Sequence, residues 1–575
     1  MTFTAWAVFL LVTAYTIWDG VRRTIGSKTM EGFFAAGRNI PWWAAGLSVM
    51  ATQLSAITLI GGVGMGYEGG LEWVQFYFAL PFAMVILCIW FVPMYRQHPI
   101  LTAYEYLERR FGPVTRTLTS LTFLLSRMLA FAVVLYAPAV VFSAMTGHDI
   151  TVMVIVTGVV TTAYTVAGGV GGVVWTDVKQ MVIIVVGIVA CLALLLWDTV
   201  AQLGIGGVFA GLGATGKLNA VEVTNPGWSF APALQKADEA GSFWSDKYNL
   251  WTGLFGQLFL FLSYFGCDQV QVQSLLSSKS VDASRRALLM SAFTKIPLQL
   301  LVLFLGGLLF LHHGLGKEPL LFDPVQKELA KAVAKAGQGE VPAQLAAATA
   351  AHATASEERR QALLQVAAGD QTGVVRLQAA TQAATAARAA ARQLVQPNKD
   401  RQKDINYIFT DYLFGELPKP ILGLMIAAIF AAAISSAAGA LSSLTSASMI
   451  DFYRRWIAPN ADDKRAVRTS RMVMAFWGLA ATGFAITLGD GPLLEKVNEI
   501  GSFFYGSILG VFLLALFVKR ASGRAASAGL LGGLLVTFAV HFTLHIAFLW
   551  YNLVGAAACV GIGALVSVVS PRQAR

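Results

Sequence analysis

Apolar runs long enough to cross a lipid bilayer recur from one end of this sequence to the other. Of the 575 residues, 56% are apolar and only 13% are charged, whereas soluble domains carry about 25% charged residues. A helix crosses the hydrocarbon with about 20 apolar residues and satisfies its own backbone hydrogen bonds there. We therefore predict an all-α integral membrane protein with about thirteen transmembrane helices. We assign these spans to residues 3–20, 42–66, 73–93, 117–146, 150–166, 175–201, 250–274, 288–313, 420–450, 471–489, 493–517, 523–547 and 549–570.

Basic residues are concentrated in alternate connections between these spans. They are Arg22, Arg23, Lys28, Arg38, Arg96, Arg109, Arg110, Arg116, Lys279, Arg285, Arg286, Arg454, Arg455, Lys464, Arg465, Arg468, Lys519, Arg520, Arg524 and Arg572. The short opposite connections, 67–72 and 147–149, contain no lysine or arginine. Because cytoplasmic loops carry the basic excess, we predict a multi-pass protein of the plasma (inner) membrane, with the N-terminus outside and the C-terminus cytoplasmic. The net charge of +10 follows mostly from this bias and does not indicate a nucleic-acid partner.

Two of the predicted spans are interrupted by glycines and polar residues. Span 42–66 contains Gln53, Ser55 and Thr58 and ends in GGVGMG, and span 250–274 contains Tyr264 and Gly266 before a polar run. These are the second and seventh spans, and such a pair is typical of transporters built from two inverted repeats. The alternative is that the polar residues serve only as contacts between helices.

The spacing of these two spans predicts the domain organisation. We expect an extra N-terminal span and cytoplasmic loop at 1–41, a first five-helix repeat at 42–201, and a second at 250–517. Two C-terminal spans follow at 518–575, and residues 202–249 are predicted to form an ordered extracellular loop. Residues 314–419 form an extracellular insertion that is rich in alanine, which favours helix. We expect one long helix or a helical hairpin there, serving as a solvated lid or spacer.

The stretch ILGLMIAAIFAAAISSAAGALSSLTSASMID, residues 421–451, begins as an apolar helix and then lays hydroxyl groups along the same helix. The hydroxyls belong to Ser435, Ser436, Ser442, Ser443, Thr445, Ser446 and Ser448. In a tightly packed transmembrane helix, such hydroxyls donate to carbonyls of their own helix. Alternatively, Ser435 and Ser436 offer oxygen ligands to a small cation, which would need partners elsewhere in the chain.

Seven segments distributed along the sequence carry a further signal. They are SAITLIG (55–61), TAYEYLERRF (102–111), VVLYAP (133–138), AYTVAGGVGGVVWTDVKQ (163–180), FGCDQVQVQSLLSSKS (265–280), FAAAISSAAGALSSL (430–444) and VFLLALFVKR (511–520). In this order they resemble the sodium/solute symporter family, which includes sodium/glucose, proline, sialic-acid, iodide, monocarboxylate and multivitamin symporters. The resemblance covers nearly all of the chain except 314–419. It implies a leucine-transporter-type fold of 5+5 inverted repeats and transport by alternating access.

The same resemblance implies one sodium site between the first and eighth helices of the core. Its ligands would be the backbone carbonyl oxygens of Ala51, Leu54 and Ala432 and the hydroxyl oxygens of Ser435 and Ser436. Neutral oxygens at points where helices lose their regularity can replace water around such a cation. With these partners, the ligand interpretation of the two serines becomes the favoured one, and sodium is the only cofactor that we expect.

Asp177 and two small residues bear on how sodium is carried. Asp177 begins span 175–201, and two interpretations stay open: a place near the sodium path, which the resemblance favours, or a cytoplasmic helix cap. The resemblance implies that family members which move two sodium ions use two further hydroxyls. These lie two and three residues beyond the second serine. This chain has Ala438 and Gly439 there. We therefore expect one sodium ion per cycle.

The solute site is expected at mid-membrane, beside the interrupted helices. Its candidate residues are Gln53, Ser55, Thr58, Trp73, Gln75, Tyr77, Arg127 and Asn498. The resemblance to sugar symporters suggests an inner-gate aromatic at Tyr264 and a substrate-binding amide at Asn498. Their Glu-Gln pair is replaced here by Ile57–Thr58, which argues against a hexose of that class.

Arg127 lies ten residues inside span 117–146, where a charged side chain is costly. One interpretation is a fork that binds a substrate carboxylate, as an arginine on this helix does in the sialic-acid members. The other is an arginine that reaches toward the cytoplasm or pairs with an acid such as Asp268. The sequence leaves the two open.

Together these features predict a secondary active symporter that couples sodium entry to import of a small polar organic solute. A sugar, a sugar acid such as sialic acid, or another carboxylate all remain candidates. The alternative is a membrane-embedded sensor or regulatory subunit on a symporter-like fold, and an enzyme is not expected because few acids lie within the spans. Apart from sodium, solute and membrane lipid, no protein or nucleic-acid partner is predicted.

Overall fold

The structure is a computed structural model. It describes residues 2–24, 40–97, 100–168, 173–221, 244–245, 247, 249–336, 339–395, 404–488, 493–544 and 546–569. Within these ranges the chain is almost entirely helical. Its β structure there consists of one isolated bridge between Ile40 and Ser278. The predicted all-α class is therefore confirmed.

The helices of the first half are α1 (Phe3–Thr24), α2 (Trp42–Gln53), α3 (Ala56–Gly69), α4 (Leu80–Ile86), α5 (Val92–Arg96), α6 (Ala103–Phe111), α7 (Pro113–Thr146), α8 (Ile150–Gly168) and α9 (Val173–Ala214). A 3₁₀ segment, Glu72–Tyr77, precedes α4, and a π-helical turn, Leu87–Phe91, joins α4 to α5.

The helices of the second half are α10 (Gln257–Gly266), α11 (Gln269–Leu276), α12 (Val281–His312), α13 (Pro324–Ala336), α14 (Glu340–Ala367), α15 (Thr372–Val395), α16 (Ile405–Gly415), α17 (Lys419–Ala447), α18 (Asp463–Ala485), α19 (Leu493–Phe517), α20 (Gly523–Thr543) and α21 (Trp550–Val569). π-helical segments at Thr252–Gly256, His313–Lys317 and Ser448–Ile457 extend α10, α12 and α17.

Helices lie at all thirteen predicted span positions. Among the described residues, eight helical segments are long and apolar enough to cross a membrane, and the bent pair α2–α3 makes a ninth. Three shorter apolar segments, Phe3–Thr16, Ile150–Val166 and Thr252–Gly266, lie at further predicted spans. Helix α18, which begins with charged residues, occupies the position predicted at 471–489. The division of these helices into two repeats stays a prediction.

Helix α17, which carries the serine-rich stretch, is the most enclosed of the candidate spans. In its apolar window 89% of the residues are buried, because alanine, serine and glycine let neighbouring helices approach closely. At Gly423, for example, an added Cβ would lie 2.5 Å from the carbonyl oxygen of Ala5 on α1. This close packing fixes the hydroxyls of α17 against its neighbours rather than against lipid.

Both interrupted spans contain a break in the helix. Helices α2 and α3 meet at an angle of 60°, where Leu54 (ψ 67°) and Ser55 (ψ 170°) leave the helical conformation. Between α10 and α11, Asp268 is extended, and its carboxylate accepts a 2.8 Å hydrogen bond from the amide of Val270. A side-chain cap of this kind starts a new helix. The polar residues therefore mark two broken helices.

Helix α9 extends beyond the predicted end of its span. It continues from residue 201 to Ala214 with a kink at Gly204 (φ 69°), so the first part of the predicted loop 202–249 is helical. The reason is long-range packing: Val208 and Leu212 on this extension are fully buried, and Gly207 and Gly211 lie close to side chains of α14. Residues 222–243, 246 and 248 of the predicted loop lie outside the described residues.

The insertion, residues 314–419, forms separate helices rather than one long helix. Helices α14 and α15 make an antiparallel pair joined at Gly369 (φ 86°). One face of this pair is buried. It consists of leucines, such as Leu363 and Leu377, and of small alanines. The insertion is thus packed onto the ends of α9 and α12 and is not a freely solvated spacer.

A buried group of charged residues holds the insertion to the core. The carboxylate of Glu318, 4% exposed, accepts hydrogen bonds from Tyr67 on α3 (2.6 Å), Arg359 on α14 (2.7 Å) and Arg388 on α15 (3.3 Å). Arg388 also donates to Asp404 at 3.0 Å. Burial raises the pKa of Glu318, but the guanidinium groups of Arg359 and Arg388 outweigh it and lower the pKa to about 2. The carboxylate is therefore ionised at all physiological pH values.

Replacing Arg359 by methionine is expected to destabilise the protein strongly. Arg359 is 1% exposed, and its loss leaves the buried Glu318 carboxylate with a missing partner, which costs about 3–5 kcal/mol in free energy of unfolding. The matched control is Arg360→Met, because Arg360 pairs with Glu357 at the exposed surface, where an ion pair contributes about 0–1 kcal/mol. Thermal unfolding in detergent measures both. Equal melting temperatures for the two variants would contradict the prediction.

Candidate functional site

The break between α2 and α3 faces the serines of α17. The hydroxyl of Ser436 donates a 3.3 Å hydrogen bond to the carbonyl oxygen of Thr52, at the end of α2. The five residues predicted to bind sodium are all buried: Ala51, Leu54 and Ala432 have no exposed surface, and Ser435 and Ser436 are 2% and 5% exposed. The structure therefore brings the serine pair to the broken helix.

Asp177 lies beside this serine pair. Its carboxylate accepts 2.5 Å hydrogen bonds from Ser435 on α17 and from Ser48 on α2, and the residue is 1% exposed. Because α9 begins at Val173, Asp177 lies inside the helix. Its interpretation as a helix cap is therefore wrong. The carboxylate joins three helices next to the predicted sodium ligands.

A cavity of about 120 Å³ opens beside the broken helices. Seven of the predicted solute and gate residues line it: Gln53, Ser55, Thr58, Tyr77, Arg127, Tyr264 and Asn498. Thr52 and Ser436 line it as well, so the cavity adjoins the predicted sodium ligands. Apart from Lys295, its other lining residues are aliphatic, such as Leu260 and Leu494, or aromatic: Phe76, Phe131, Phe261, Phe265 and Tyr505.

Two predicted solute residues, Trp73 and Gln75, do not line this cavity. Both belong to the 3₁₀ segment Glu72–Tyr77, whose three-residue turn directs neighbouring side chains differently from an α-helix. Trp73 stacks on Phe76 with ring centroids 4.8 Å apart, and Gln75 is 1% exposed and donates to the carbonyl oxygen of Glu72. Their assignment to the solute site is corrected accordingly.

Arg127 is paired with an acid. Its guanidinium lies 3.3 Å from the carboxylate of Asp268, which also accepts a 3.1 Å hydrogen bond from the hydroxyl of Tyr505. The sequence left two interpretations open, and the contact with Asp268 is the one observed. Although Arg127 reaches the cavity, Asp268 compensates its charge.

Lys295 is a cavity residue that the sequence analysis missed. It lies on α12, is 2% exposed and lines the cavity, with its ammonium 5.3 Å from the ring centre of Tyr77. Among the described residues, no hydrogen-bond acceptor contacts its Nζ atom. A lysine inside the predicted span 288–313 was the available signal, because an ionisable residue within the membrane indicates a functional site by default.

The sequence profile of the "Sodium:solute symporter family" matches residues 33–339 and 383–533, which is more than half of the chain. The chain is 27% identical over 537 residues to the sodium-dependent multivitamin transporter of Oryctolagus cuniculus, covering 93% of this chain and 69% of the relative. It is 23% identical to the sodium/sialic acid symporter SiaT of Proteus mirabilis (strain HI4320), covering 98% and 94%.

A solved structure is similar as well. It is described as the substrate-bound outward-open state of a Na⁺-coupled sialic acid symporter, and it superposes with a TM-score of 0.73 at 22% identity over 99% of this chain and 98% of that one. The likeness confirms a membrane-transporter fold. Together with the profile match over both halves of the chain, it leads to one conclusion: this chain is a sodium-coupled solute transporter that belongs to the sodium:solute symporter family.

Proposed function

We propose that this symporter imports a small polar organic solute with one carboxylate group, together with one sodium ion per cycle. The observation that carries the proposal is the buried side-chain amine of Lys295, which lines the cavity. Of the two basic residues that line it, Arg127 is paired with Asp268 at 3.3 Å. The ammonium of Lys295 contacts no acceptor among the described residues.

An unpaired ammonium in a buried cavity is costly unless a ligand supplies the opposite charge. A carboxylate supplies it and forms charge-assisted hydrogen bonds, which are about twice as strong as neutral ones. The amide and hydroxyl groups of Gln53, Ser55 and Thr58 line the same cavity and are suited to the remaining polar groups of the solute. The aromatic walls are suited to its apolar faces.

Sodium is proposed to bind at the break between α2 and α3. The last carbonyl groups of a helix have no amide partner from a following turn. At the end of α2, the carbonyl of Thr52 accepts from Ser436 and that of Gln53 accepts from Thr58. The hydrogen bonds of the described residues do not use the carbonyls of Ala51 and Leu54. We assign these two oxygens to the ion, with Ala432, Ser435 and Ser436 as the ligands from α17.

We propose one sodium ion per cycle because the chain lacks the two further hydroxyls that the family resemblance implies for a second ion. The positions at which a second ion would find hydroxyls are Ala438 and Gly439, which have no side-chain oxygen. Asp177 accepts a hydrogen bond from Ser435, and we assign it to the path along which the ion leaves.

The orientation that we propose rests on the basic residues. Arg109, Arg454, Arg465 and Lys519 lie in or beside the short segments at one end of the long helices, which we call the basic end, and the insertion lies at the other, the insertion end. Because basic connections stay in the cytoplasm, the basic end is cytoplasmic. The N-terminus and the insertion are then outside, and the C-terminus is inside the cell.

Uptake of a monocarboxylate by this protein is expected to be electroneutral. One sodium ion and one monoanion move no net charge, so a tenfold sodium gradient supports about tenfold accumulation, whatever the membrane potential. A neutral solute would gain about 2.3 kcal/mol per 100 mV, which is roughly 50-fold in accumulation. The measurement is uptake of radiolabelled lactate, sialic acid and glucose into proteoliposomes, with a potential set by potassium and valinomycin. Sodium-driven glucose uptake that rises with the potential would contradict the proposal.

A further inference from the structure

A histidine at the insertion end of α12 lies between two carboxylates. His312 is 2% exposed, its Nδ1 lies 2.6 Å from a carboxylate oxygen of Asp198, and its Nε2 lies 2.7 Å from a carboxylate oxygen of Glu416. Asp198 belongs to α9, and Glu416 follows α16 and precedes α17. One imidazole ring therefore joins three separate segments of the fold.

The chemistry of this contact requires an extra proton. A neutral imidazole has one N–H donor and one bare nitrogen that only accepts. With carboxylate oxygens at hydrogen-bond distance from both nitrogens, a neutral ring and two ionised carboxylates would leave two acceptors facing each other. Two good hydrogen bonds form only when one more proton is present, as the imidazolium or as a protonated carboxyl group.

We propose that His312, Asp198 and Glu416 form a proton-binding bridge, through which the pH at the insertion end controls how firmly α9, α12 and the start of α17 are held together. The bridge is open to solution, because the side chains of Asp198 and Glu416 are 40% and 33% exposed. Protons can therefore exchange without opening the protein.

Besides the two carboxylates, the His312 ring is surrounded by aromatic and uncharged polar side chains. Tyr412 on α16 lies with its ring centre 5.6 Å from that of His312, and His313, the next residue of α12, lies at 5.9 Å. The side-chain amide of Gln202 on α9 contacts Asp198 at 3.3 Å. Within the described residues, the imidazole itself contacts no other ionised group.

The bridge joins helices that carry the transport sites. Helix α12 contains the cavity residue Lys295, and α17 contains Ser435 and Ser436. A movement of α12 away from α9 or from the connection that precedes α17 lengthens one of the two short contacts of His312. Loss of the proton would therefore favour separation of these segments. This consequence does not depend on which solute is carried.

The test is the pH dependence of thermal unfolding in detergent, without any solute. The two short contacts of His312 need one shared proton, which the separated groups of an unfolded chain do not need. Because the native state then binds more protons than the unfolded state, the melting temperature of the wild type should fall as the pH rises from 6 to 8. Asp198→Asn should remove this dependence, because an asparagine amide donates to a neutral ring.

The control variant is His148→Gln, because His148 is an exposed histidine whose ring contacts the neighbouring backbone carbonyl of Thr146. It should keep the pH dependence of the wild type. Hydrogen exchange adds a local readout: after correction for intrinsic rates, exchange in α16 should rise about tenfold between pH 6 and 8 in the wild type, but not in Asp198→Asn. A wild type that is equally stable at both pH values, or a variant with unchanged dependence, would overturn the proposal.

Discussion

Replacing Ser435 and Ser436 together by alanine is expected to abolish sodium-driven solute accumulation in proteoliposomes. The variant keeps the helix but removes two of the five proposed sodium ligands. A hydrogen bond or ligand contact to a charged group contributes about 1.5–3 kcal/mol, so two lost ligands weaken sodium binding by at least about 100-fold. The measurement is the sodium concentration that gives half-maximal uptake. In the wild type, bound sodium should also raise the melting temperature, and this effect should disappear in the variant.

The matched control is the double variant Ser442→Ala, Ser443→Ala on the same helix. These residues are equally buried, but Ser442 donates to Gln273 and Ser443 donates back to the carbonyl of Ala440. The control should change the sodium requirement by less than about twofold, because neither hydroxyl faces the break between α2 and α3. Sodium activation that is unchanged in the Ser435 and Ser436 variant would refute the proposed site.

A single variant distinguishes the loss of sodium coordination from the loss of the hydrogen bond to Asp177. Ser436→Ala leaves intact the contact between Ser435 and Asp177, and Ser48 still donates to the same carboxylate. The variant should therefore weaken sodium binding with little effect on stability in the absence of sodium. If only Ser435→Ala is harmful, the contact with Asp177 rather than direct coordination is what matters at this serine pair.

The transmembrane helices could be predicted from the sequence because the property that selects them is local. About 20 consecutive apolar residues suffice for a span, and residues such as Ser55 and Asp268 mark the breaks by their own chemistry. The end of α9 was predicted wrongly for the opposite reason. Its extension to Ala214 is helical because it packs against the insertion, where Gly207 and Gly211 lie close to side chains of α14. That contact joins residues more than 150 positions apart in the sequence.

The candidate site was predictable only in part. The serine pair was chosen through the family resemblance, and its contact with Thr52 lies between helices that are about 380 residues apart in the sequence. Trp73 and Gln75 were chosen by position in a span, and the 3₁₀ conformation of that segment turns them away from the cavity. The pairing of Arg127 with Asp268 depends on the break before α11. The sequence offered this pairing as one of two interpretations, and the three-dimensional structure was needed to choose between them.

Replacing Lys295 by methionine is expected to abolish carboxylate uptake while leaving sodium binding intact. Removing one partner of a buried charge pair costs about 2–5 kcal/mol in binding, which weakens solute binding by at least about 30-fold. The sodium-dependent rise in melting temperature should stay as in the wild type, because Lys295 is not among the proposed sodium ligands. The control is Lys247→Met, because Lys247 pairs with Glu495 at the surface. Its uptake should match the wild type.

The stability of the Lys295→Met variant distinguishes a binding role from a structural one. If the ammonium held the fold together, its loss would lower the melting temperature in the absence of solute. The structure argues for the opposite sign, because the ammonium is buried without an acceptor among the described residues, and methionine of similar length removes that desolvation cost. A residue that costs stability but is needed for activity is typical of binding sites. A variant that melts at a lower temperature and still takes up lactate with an unchanged KM would exclude Lys295 from the solute site.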